Sequence, residues 1–575
     1  MGTRTMVQLD IEKLKLFTYA SIGEYLADIF EASIYGPYAG EYADEKTSID
    51  VLVIVESKES LLKCISKLFD SKRIRFLIVD RRSFERDVES EWLGGILTES
   101  ILTPYISIIN PDYIRYQEVK AKKRMVCDIL NNLILSFPEM SMNFMIKPEY
   151  FMFETIMRRA TLFPPIAYRF LNIARSDVKN RNYTLMMNGF EAALKDFISE
   201  GKLKLVDNEF LKISEEYIES IRAKRGRRLR NLFKNSRTRI VRYVLGIFPN
   251  IMDSILDDYR IYKTYLAEGN VFVNPVRKLE NPRKYIFIPT SSGTVSFTER
   301  MSIEDFIRRH MPEKYALKHN IKRLGGVLNS VYILRVAENE KERKTVVKVF
   351  KDWYGWKWFP LTLWALGTRD FTVMGKARLE REYAINMFLS NHGINVPSII
   401  YVSPEEKIIF QEYIDGINAS EVIRQLYKMT GDENGREKLL DVIRRIGREL
   451  AKIHSLGVSV GDCKPENIIL SSDGRIFFVD LEQAERSGDQ AWDIAEFLYY
   501  SGHYTLLPSL NIIDEEVKEF IYGYLESGGK IENIKRALSP RYIKVFSFFT
   551  PPHVILAISN TCKRVLKMLT IEEPK

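Results

Sequence analysis

The sequence has 575 residues, of which 46% are hydrophobic and 28% are charged, which excludes a disordered chain and leaves room for several folded domains. The 85 basic and 76 acidic residues give a formal net charge of +9, which favours an anionic partner without specifying its kind. The four cysteines lie far apart, which excludes a CxxC metal site and a dense disulfide framework. We therefore expect a reducing, cytoplasmic compartment.

Membrane insertion is not expected from the sequence. The first residues lack the basic-then-apolar pattern of a signal sequence. The uncharged run that begins at Val545 and ends at Cys562 is interrupted by Pro551 and Pro552 and contains polar side chains. We expect this run to form buried helices, and we expect no membrane span.

The first 80 residues contain an ordered series of elements. An amphipathic helical pattern covers residues 11–31, a turn follows with Gly36, and an apolar strand begins after Asp50. A later apolar strand ends at Asp80. This order resembles the polymerase-β-type nucleotidyltransferase core, and the resemblance implies a remnant site at Gly36, Asp50 and Asp80.

Two residues of this core depart from the family pattern. Pro37 stands where the family has a Ser that holds the triphosphate, and Ser48 stands where it has the first Asp of a metal-binding pair. Two carboxylates in place of three hold a second cation poorly. We therefore expect a retained nucleotidyltransferase-like fold without transfer activity.

A helical and winged-helix connector is predicted next. Residues 87–113 and 146–165 resemble the helical extension of a group of archaeal predicted nucleotidyltransferases. Farther on, a helix over residues 189–198 is followed by two short strands joined by Asp207 and Asn208, an order typical of a winged-helix module. Such modules bind nucleic acid or pack against protein, and both alternatives stay open here.

The most basic segment begins at Arg222 and ends at Arg242, and it holds ten Lys or Arg residues and no acidic residue. Such a block is either a solvated helix face or linker, or a strip that contacts a phosphate backbone. The second alternative predicts a nucleic-acid contact and supports an RNA substrate.

A compact motif in the last quarter of the chain carries the chemistry. Asp462, Lys464 and Asn467 lie close together, and Asp480 follows thirteen residues after Asn467 at the end of an apolar run. Phosphoryl transfer from ATP needs this spacing: an Asp orients the attacking hydroxyl and takes its proton, a Lys reaches the phosphate, and an Asn and a second Asp hold Mg²⁺.

This motif resembles the protein-kinase-like superfamily, in the form kept by atypical kinases such as the RIO family and the kinase subunit of the tRNA threonylcarbamoylation complex. The resemblance implies that Asp493 ties the next helix to the catalytic loop. Val460 replaces the usual His or Tyr, Leu481 and Glu482 replace Phe-Gly, and no Ala-Pro-Glu follows. These departures argue against typical activation-loop control and leave the metal site intact.

Upstream residues complete the expected nucleotide site. A turn between two strands would let backbone N–H groups approach phosphates, and Lys348 on the third strand would reach the α- and β-phosphates. The following helix offers Glu380 and Glu382 as partners, and similarity to the Arg-Glu-x-Ala pattern of atypical kinases selects Glu382. The residues expected to bind the nucleotide are Gly325, Gly326, Lys348, Glu382, Glu412 and Ile414.

An insert at residues 353–371 separates Lys348 from that helix and holds four of the six Trp residues. It is a packed flap, a base-stacking surface or a protein-docking surface. We favour packing.

The sequence therefore predicts a multidomain α/β and α+β protein. Its expected parts are a nucleotidyltransferase-like domain (1–120), a helical and winged-helix extension (121–225), a basic connector with a hairpin (226–314), a kinase N-lobe (315–415) and a kinase C-lobe (416–575). The expected function is transfer of the ATP γ-phosphate to a hydroxyl with Mg²⁺ or Mn²⁺, first to protein Ser or Thr. The alternatives are an RNA (tRNA) kinase, a nucleic-acid-binding ATPase or scaffold, and an active nucleotidyltransferase.

Overall fold

The structure is a computed structural model that forms two compact units, Met1–Phe287 and Ile288–Lys575, called here the N-terminal unit and the C-terminal unit. The border falls inside the connector expected for residues 226–314. The structure describes residues 10–22, 28–223, 248–266, 275–310, 320–325, 330–338, 341–352, 374–429, 431–504 and 509–572.

A five-stranded sheet forms the start of the N-terminal unit, with strand order β3-β4-β2-β1-β5. Strands β2 and β4 are parallel, and the remaining neighbours are antiparallel. One face is covered by α1 (Ile11–Ile22), whose Leu14 and Ile22 are fully buried against the sheet. The strands are β1 (Asp28–Tyr35), β2 (Ile49–Glu56), β3 (Leu62–Phe69), β4 (Lys72–Asp80) and β5 (Tyr105–Ile109).

The helix expected over residues 11–31 is shorter than predicted. It ends at Ile22, and residues 28–31 already belong to β1. The physical reason is the content of branched and aromatic side chains in β1, such as Ile29, Phe30 and Ile34, which favour strands. The strand pairs with β2 from Asp28 to Tyr35, with an irregularity between Ile29 and Glu31.

Helices make up most of the remaining N-terminal unit. Asp80 begins the first of them as an N-cap, because its side chain accepts a hydrogen bond from the Ser83 N–H. The helices are α2 (Arg81–Ser90), α3 (Ile96–Leu102), α4 (Pro111–Ser136), α5 (Glu149–Leu162), α6 (Ala167–Ile173), α7 (Lys179–Ser199), α8 (Glu215–Arg222) and α9 (Phe248–Tyr265).

The segment expected to form a winged helix contains a helix followed by a hairpin. Helix α7 leads into β7 (Leu203–Val206) and β8 (Phe210–Ile213), which pair antiparallel. Asp207, Asn208 and Glu209 join them. Asp207 and Asn208 have φ values of 52° and 55°, a left-handed conformation that Asp and Asn accept more readily than most residues. Strand β6 (Met145–Ile146) extends this sheet. The winged-helix assignment itself stays a prediction.

The hairpin expected near residues 284–297 is present in the stretch of chain that contains the border between the units. It consists of β9 (Ile286–Thr290) and β10 (Gly293–Ser296), and α10 (Ile303–His310) follows. Val295, Met301 and Phe306 are buried in one core with residues of the following sheet. That core therefore begins upstream of the start expected at residue 315.

The C-terminal unit contains a sheet lobe, built on an antiparallel sheet of order β11-β12-β13-β15-β14. Helix α11 (Gly375–Asn391) packs beside β14 and β15. The strands are β11 (Asn320–Gly325), β12 (Ser330–Glu338), β13 (Lys341–Val349), β14 (Ile399–Ser403) and β15 (Ile408–Glu412).

A helical lobe completes the C-terminal unit. Its core includes Phe497 and Phe520, whose rings stack with centroids 4.6 Å apart. The helices are α12 (Ala419–Lys428), α13 (Glu433–Ser455), α14 (Gln490–Ser501), α15 (Leu510–Glu526), α16 (Ile531–Ala537), α17 (Pro540–Phe546) and α18 (Pro552–Glu572). Short strands carry its loops: β16 (Gly416–Asn418), β17 (Val458–Ser459), β18 (Ile468–Ser471), β19 (Ile476–Phe478) and β20 (Glu485–Arg486).

The apolar run between Val545 and Cys562 forms the end of α17 and the first part of α18. Val545, Val554, Ile558 and Cys562 are buried in the core of the helical lobe, as expected. Within the part of the chain that the structure describes, no helix combines the length and apolar character needed to cross a bilayer.

Candidate active site

Lys348 lies at the centre of the candidate site, on the middle strand of the sheet lobe. Its Nζ is 2.7 Å from Oε1 of Glu382 and 3.1 Å from Oδ1 of Asp480, and its side chain is 7% exposed. Burial alone would lower the pKa of Lys348, but the charges of Asp480 and Glu382 outweigh burial and raise that pKa above its usual value. Lys348 is therefore a fixed cation that joins a helix to a loop.

Glu382, on α11, is held in place by contacts with two strands of the sheet lobe. Of the two glutamates that the sequence offered, Glu382 is the one that contacts Lys348. Its Oε1 also accepts a hydrogen bond of 2.8 Å from Nε2 of Gln411 on β15.

At the start of α11, a Cβ on Gly375 would lie 2.6 Å from the Phe350 carbonyl oxygen. A glycine is needed there because the helix and the end of β13 approach so closely.

Asp462, Lys464 and Asn467 form a small hydrogen-bonded group in the helical lobe. Nζ of Lys464 lies 2.9 Å from Oδ2 of Asp462, and Nδ2 of Asn467 donates to the Asp462 carbonyl over 3.0 Å. The charge of Asp462 is the main reason that the pKa of Lys464 is raised above its usual value. The three residues therefore lie together in space, as their spacing along the sequence suggested. Lys464 stays positively charged at neutral pH.

Asp480 brings the two lobes of the site together. Burial would raise the pKa of its carboxyl group, but Lys348 and Lys464 together hold that pKa below its usual value. Its φ of 63° and ψ of 59° place it in the left-handed region, which is unusual for a residue with a Cβ and is common at functional sites. About a third of its side chain is exposed, so the carboxylate can take a further ligand.

Asp493 on α14 accepts hydrogen bonds from the loop that leads to Asp462. One carboxylate oxygen of the fully buried Asp493 accepts from the Gly461 N–H at 2.7 Å. The other accepts from the Val460 N–H at 2.7 Å and contacts Nε2 of His454 at 3.0 Å. Asp493 therefore ties the helix to the loop, as the resemblance implied.

Some contacts of the site could not be found from the sequence motif. Glu496 accepts a hydrogen bond from the Cys463 N–H at 2.6 Å, which fixes the backbone between Asp462 and Lys464. Trp492 donates to the same carboxylate. The only signal in the sequence was the spacing of two acidic residues on one helix, three positions apart, and such spacing is too common to select Glu496.

Three of the remaining nucleotide-binding candidates, Gly325, Glu412 and Ile414, belong to the described residues. Gly325 ends β11, where it pairs with Val331, and Gly326 lies outside the described residues. Glu412 ends β15 and its N–H donates to the Ser398 carbonyl over 2.9 Å. The buried Ile414 follows in the segment that joins the lobes. The approach of the glycine turn to the phosphates and the nucleotide contacts of Glu412 and Ile414 stay predictions.

Two oxygen donors of the site, from Asn467 and Asp480, fit a divalent metal ion. The Nδ2 of Asn467 donates to the Asp462 carbonyl, so the amide oxygen of Asn467 can bind a metal ion. Asp480 adds a carboxylate. Among the described residues, no group of three or more His, Cys, Asp or Glu side chains forms a metal centre. Mg²⁺ usually binds one or two protein oxygens together with substrate phosphates.

Gly36 and Asp50 lie together in the N-terminal unit, at the expected remnant site. A Cβ on Gly36, whose φ is 73°, would lie 3.1 Å from Oδ2 of Asp50. Asp50 is 1% exposed, and both its oxygens are occupied. Oδ1 lies 2.6 Å from Nε of Arg75, and Oδ2 accepts from the Ser254 hydroxyl at 2.9 Å.

Asp80 does not join this site, contrary to the expectation. In the parallel register of β2 and β4, Asp50 pairs with Arg75, whereas Asp80 pairs with Val55 at the other end of the strands. Five residues of strand separate the two positions, which is roughly 16 Å. The Asp80 carboxylate instead caps α2 and accepts from the Leu61 N–H.

Two other predicted regions lie mainly or wholly outside the described residues. These are the insert at residues 353–371 and the basic segment after Arg222. Arg222 itself forms ion pairs with Glu139 at 3.3 Å and Glu219 at 3.1 Å.

Comparison with known proteins identifies a kinase-like part. The model of the lipopolysaccharide kinase (Kdo/WaaP) family matches residues 332–524, which cover both lobes of the candidate site and less than half of the chain. Two relatives carry Bud32 in their names. The KEOPS complex subunit Bud32 of Pyrococcus abyssi is 34% identical over 110 residues, which are 19% of this chain and 46% of the relative.

The second is the probable serine/threonine-protein kinase BUD32 homolog of Archaeoglobus fulgidus, 32% identical over 143 residues, 25% of this chain and 64% of the relative. A probable bifunctional tRNA threonylcarbamoyladenosine biosynthesis protein of Methanobrevibacter smithii is 30% identical over 173 residues, 28% of each chain. This chain spans less than two thirds of the length of each relative. The match to a kinase family is consistent with the mixed α/β structure of the C-terminal unit.

Proposed function

We propose that the protein is an atypical kinase that transfers the γ-phosphate of ATP to the hydroxyl of a protein Ser or Thr. The observation that carries this proposal is the contact of Lys348 with both Glu382 and Asp480, beside the loop that holds Asp462, Lys464 and Asn467. The kinase family model and the name of the Archaeoglobus fulgidus relative, a probable serine/threonine-protein kinase, support it. The wide spacing of the four cysteines along the sequence supports a reducing, cytoplasmic setting.

Each residue has a defined task in the proposed reaction. Lys348, fixed by Glu382, holds the α- and β-phosphates of ATP. Asp462 orients the acceptor hydroxyl and takes its proton as the acceptor oxygen forms a bond to the γ-phosphorus. The bond from that phosphorus to the β,γ-bridging oxygen breaks, and ADP leaves.

Lys464 lies beside Asp462 and balances the charge of the transferring phosphoryl group. Asn467 and Asp480 would hold Mg²⁺, or Mn²⁺ in its place. When bound there, the ion neutralises the charge that builds up on the phosphates.

The acceptor class is tested with γ-labelled ATP. Wild-type protein, Asp480→Ala and Asp473→Asn are incubated with total protein, total RNA and a lipid extract of the source cells. Asp473 is a matched control because it is an exposed aspartate in the neighbouring β18–β19 turn, paired with Arg475. We expect label in protein with wild type and Asp473→Asn and none with Asp480→Ala. Label only in RNA or lipid would overturn the protein acceptor, and no label in any pool would overturn the transferase.

RNA, and tRNA in particular, is the second candidate acceptor. The observation that favours it is the relative named for tRNA threonylcarbamoyladenosine biosynthesis, together with the basic segment that starts at Arg222. In the labelling test this candidate predicts label in RNA that disappears when the ten basic residues of the segment are neutralised. An ATPase or scaffold that binds nucleic acid predicts nucleotide binding with no labelled pool.

For the N-terminal unit we propose a nucleotidyltransferase-like core without transfer activity. Arg75 occupies the position opposite Asp50 where a further carboxylate would help to hold a metal, and its guanidinium neutralises Asp50. Ser254 on α9 occupies the other oxygen. Label transferred from α-labelled nucleotides by wild type, and lost in Asp50→Ala, would contradict this proposal.

A further inference from the structure

Arg378 and Glu482 form an ion pair in the interior of the C-terminal unit. Nη1 of Arg378 lies 3.2 Å from Oε1 and 3.3 Å from Oε2 of Glu482, and the side chains are 0% and 5% exposed. Nη2 of Arg378 also donates to the Lys351 carbonyl. A guanidinium buried to this degree needs its carboxylate, because an uncompensated buried charge is strongly destabilising.

The pair connects the same two elements as Lys348 does. Arg378 and Glu382 lie four residues apart on α11 and so share one face of the helix. Glu482 follows two residues after Asp480 in the loop. Glu382 reaches this loop indirectly, through Lys348 and then Asp480. Arg378 and Glu482 make a second connection, which is direct.

This second connection bears on how the site is held in place in a sequence that departs from the pattern of typical activation-loop control. In protein kinases the Lys–Glu ion pair and the metal-binding Asp must both be in place, and phosphorylation of the activation loop commonly controls this arrangement. Here Glu482 stands in the short 3₁₀ turn Leu481–Gln483, which packs on α11. The charge of Glu482 is part of the sequence, so it does not depend on modification.

We propose that Arg378 and Glu482 are positioning residues that hold α11 and the Asp480 loop in the arrangement that binds ATP and metal, without phosphorylation of this chain. The proposal rests on the proposed function, because it assigns a task to Asp480 in metal binding. Both residues act through their neighbours, Arg378 through Glu382 and Glu482 through Asp480.

The test uses a double substitution that separates positioning from stability. Replacing both partners of a buried ion pair by apolar residues is often neutral for stability, whereas removing one partner is not. We therefore choose Arg378→Met with Glu482→Met in the full chain. Arg381→Gln with Glu485→Gln is the matched control, since that pair also joins α11 to the segment after Asp480, at 3.6 Å, with 19% and 47% of the side chains exposed.

The readout is the binding of a fluorescent ATP analogue at increasing Mg²⁺ concentrations, with the melting temperature measured alongside. Every protein is treated with phosphatase first, and untreated wild type is included. We expect the half-saturating Mg²⁺ concentration to rise roughly tenfold in the Met/Met variant, the effect that partners of metal ligands commonly have. The control pair and phosphatase treatment should leave it unchanged.

Two results would overturn the proposal. One is a Met/Met variant with the Mg²⁺ dependence of wild type, and the other is a similar shift in wild type on phosphatase treatment. If the Met/Met variant does not fold, Arg378→Lys, which keeps the charge but lacks the planar fork, is measured with the same two outcomes. Wild type without Mg²⁺-dependent binding would instead contradict the proposed function, and this inference with it.

Discussion

The ammonium group of Lys348 lies 3.1 Å from the carboxylate of Asp480, across 132 positions of sequence. Lys348 belongs to the sheet lobe and Asp480 to the helical lobe, so this contact joins the two lobes of the C-terminal unit. Mg²⁺ and the phosphates of ATP would take over part of this contact on binding. Under the proposed function, the same charged groups would hold the phosphates of ATP and the metal ion.

Lys348→Met is expected to lower kcat/KM for ATP by roughly 10²-fold or more, because one fixed charge that faces the phosphates is lost. The measurement is the steady-state rate of ADP formation. The control is Lys322→Met, an exposed lysine on β11, which should change the rate little. Equal losses in both variants would show that general surface charge, and not the Lys348 contact, governs nucleotide use.

Asp493→Asn is expected to destabilise the C-terminal unit by about 3 kcal/mol, because the buried carboxylate accepts from two backbone N–H groups and the amide would present a donor to one of them. Calorimetric unfolding measures this loss. Asp473→Asn, at an exposed turn, should shift unfolding by less than about 0.5 kcal/mol. An unchanged melting profile of Asp493→Asn would contradict the role of this side chain in holding the backbone of the loop.

Glu516 on α15 predicts a pH dependence of stability. Burial raises its pKa from 4.5 to about 7, and a hydrogen bond from Tyr427 offsets part of the effect. Between these two values the folded state binds more protons than the unfolded chain, so the free energy of unfolding falls as pH rises. This contribution is fully present below pH 4.5 and lost above about pH 7, a total of about 3 kcal/mol.

Glu516→Gln cannot ionise and should remove this dependence. We expect the variant to be more stable than wild type at pH 8 and similar to it at pH 5, measured as the urea midpoint of the C-terminal unit. Parallel stability curves for the two proteins across this range would contradict the assignment.

Arg75→Gln is expected to cost roughly 3–5 kcal/mol of stability in the N-terminal unit, because it leaves Asp50 buried without its cation. Arg73→Gln is the matched control on the same strand, since Arg73 is exposed. Thermal unfolding compares the two. Similar melting temperatures for both variants would mean that Arg75 does not neutralise Asp50.

Local motifs were predictable from the sequence, whereas most contacts between distant segments were not. The group Asp462, Lys464 and Asn467 was found because its spacing along one loop is set by the chemistry. Lys348 was found because its strand has a recognisable pattern. Arg378 and Glu496 were missed, because their partners depend on how α11 and α14 pack on the loop.

The error at Asp80 has a related cause. An Asp at the end of an apolar strand was expected to reach Asp50, but only the register of β2 and β4 decides which residues face each other, and it selects Arg75. The hairpin after α7 was predictable from Asp207 and Asn208, since few residues accept their left-handed backbone. Whether that hairpin is the wing of a winged helix stays a prediction.

The most direct test of the central claim is phosphoryl transfer by Asp462→Asn. This variant keeps Lys348, Asn467 and Asp480, so we expect it to bind Mg²⁺ and ATP like wild type. We also expect it to transfer γ-label at least about 10²-fold more slowly, the usual contribution of a positioned general base. Transfer by Asp462→Asn at the wild-type rate, or ATP binding by wild type with no transfer to any hydroxyl acceptor, would contradict the account.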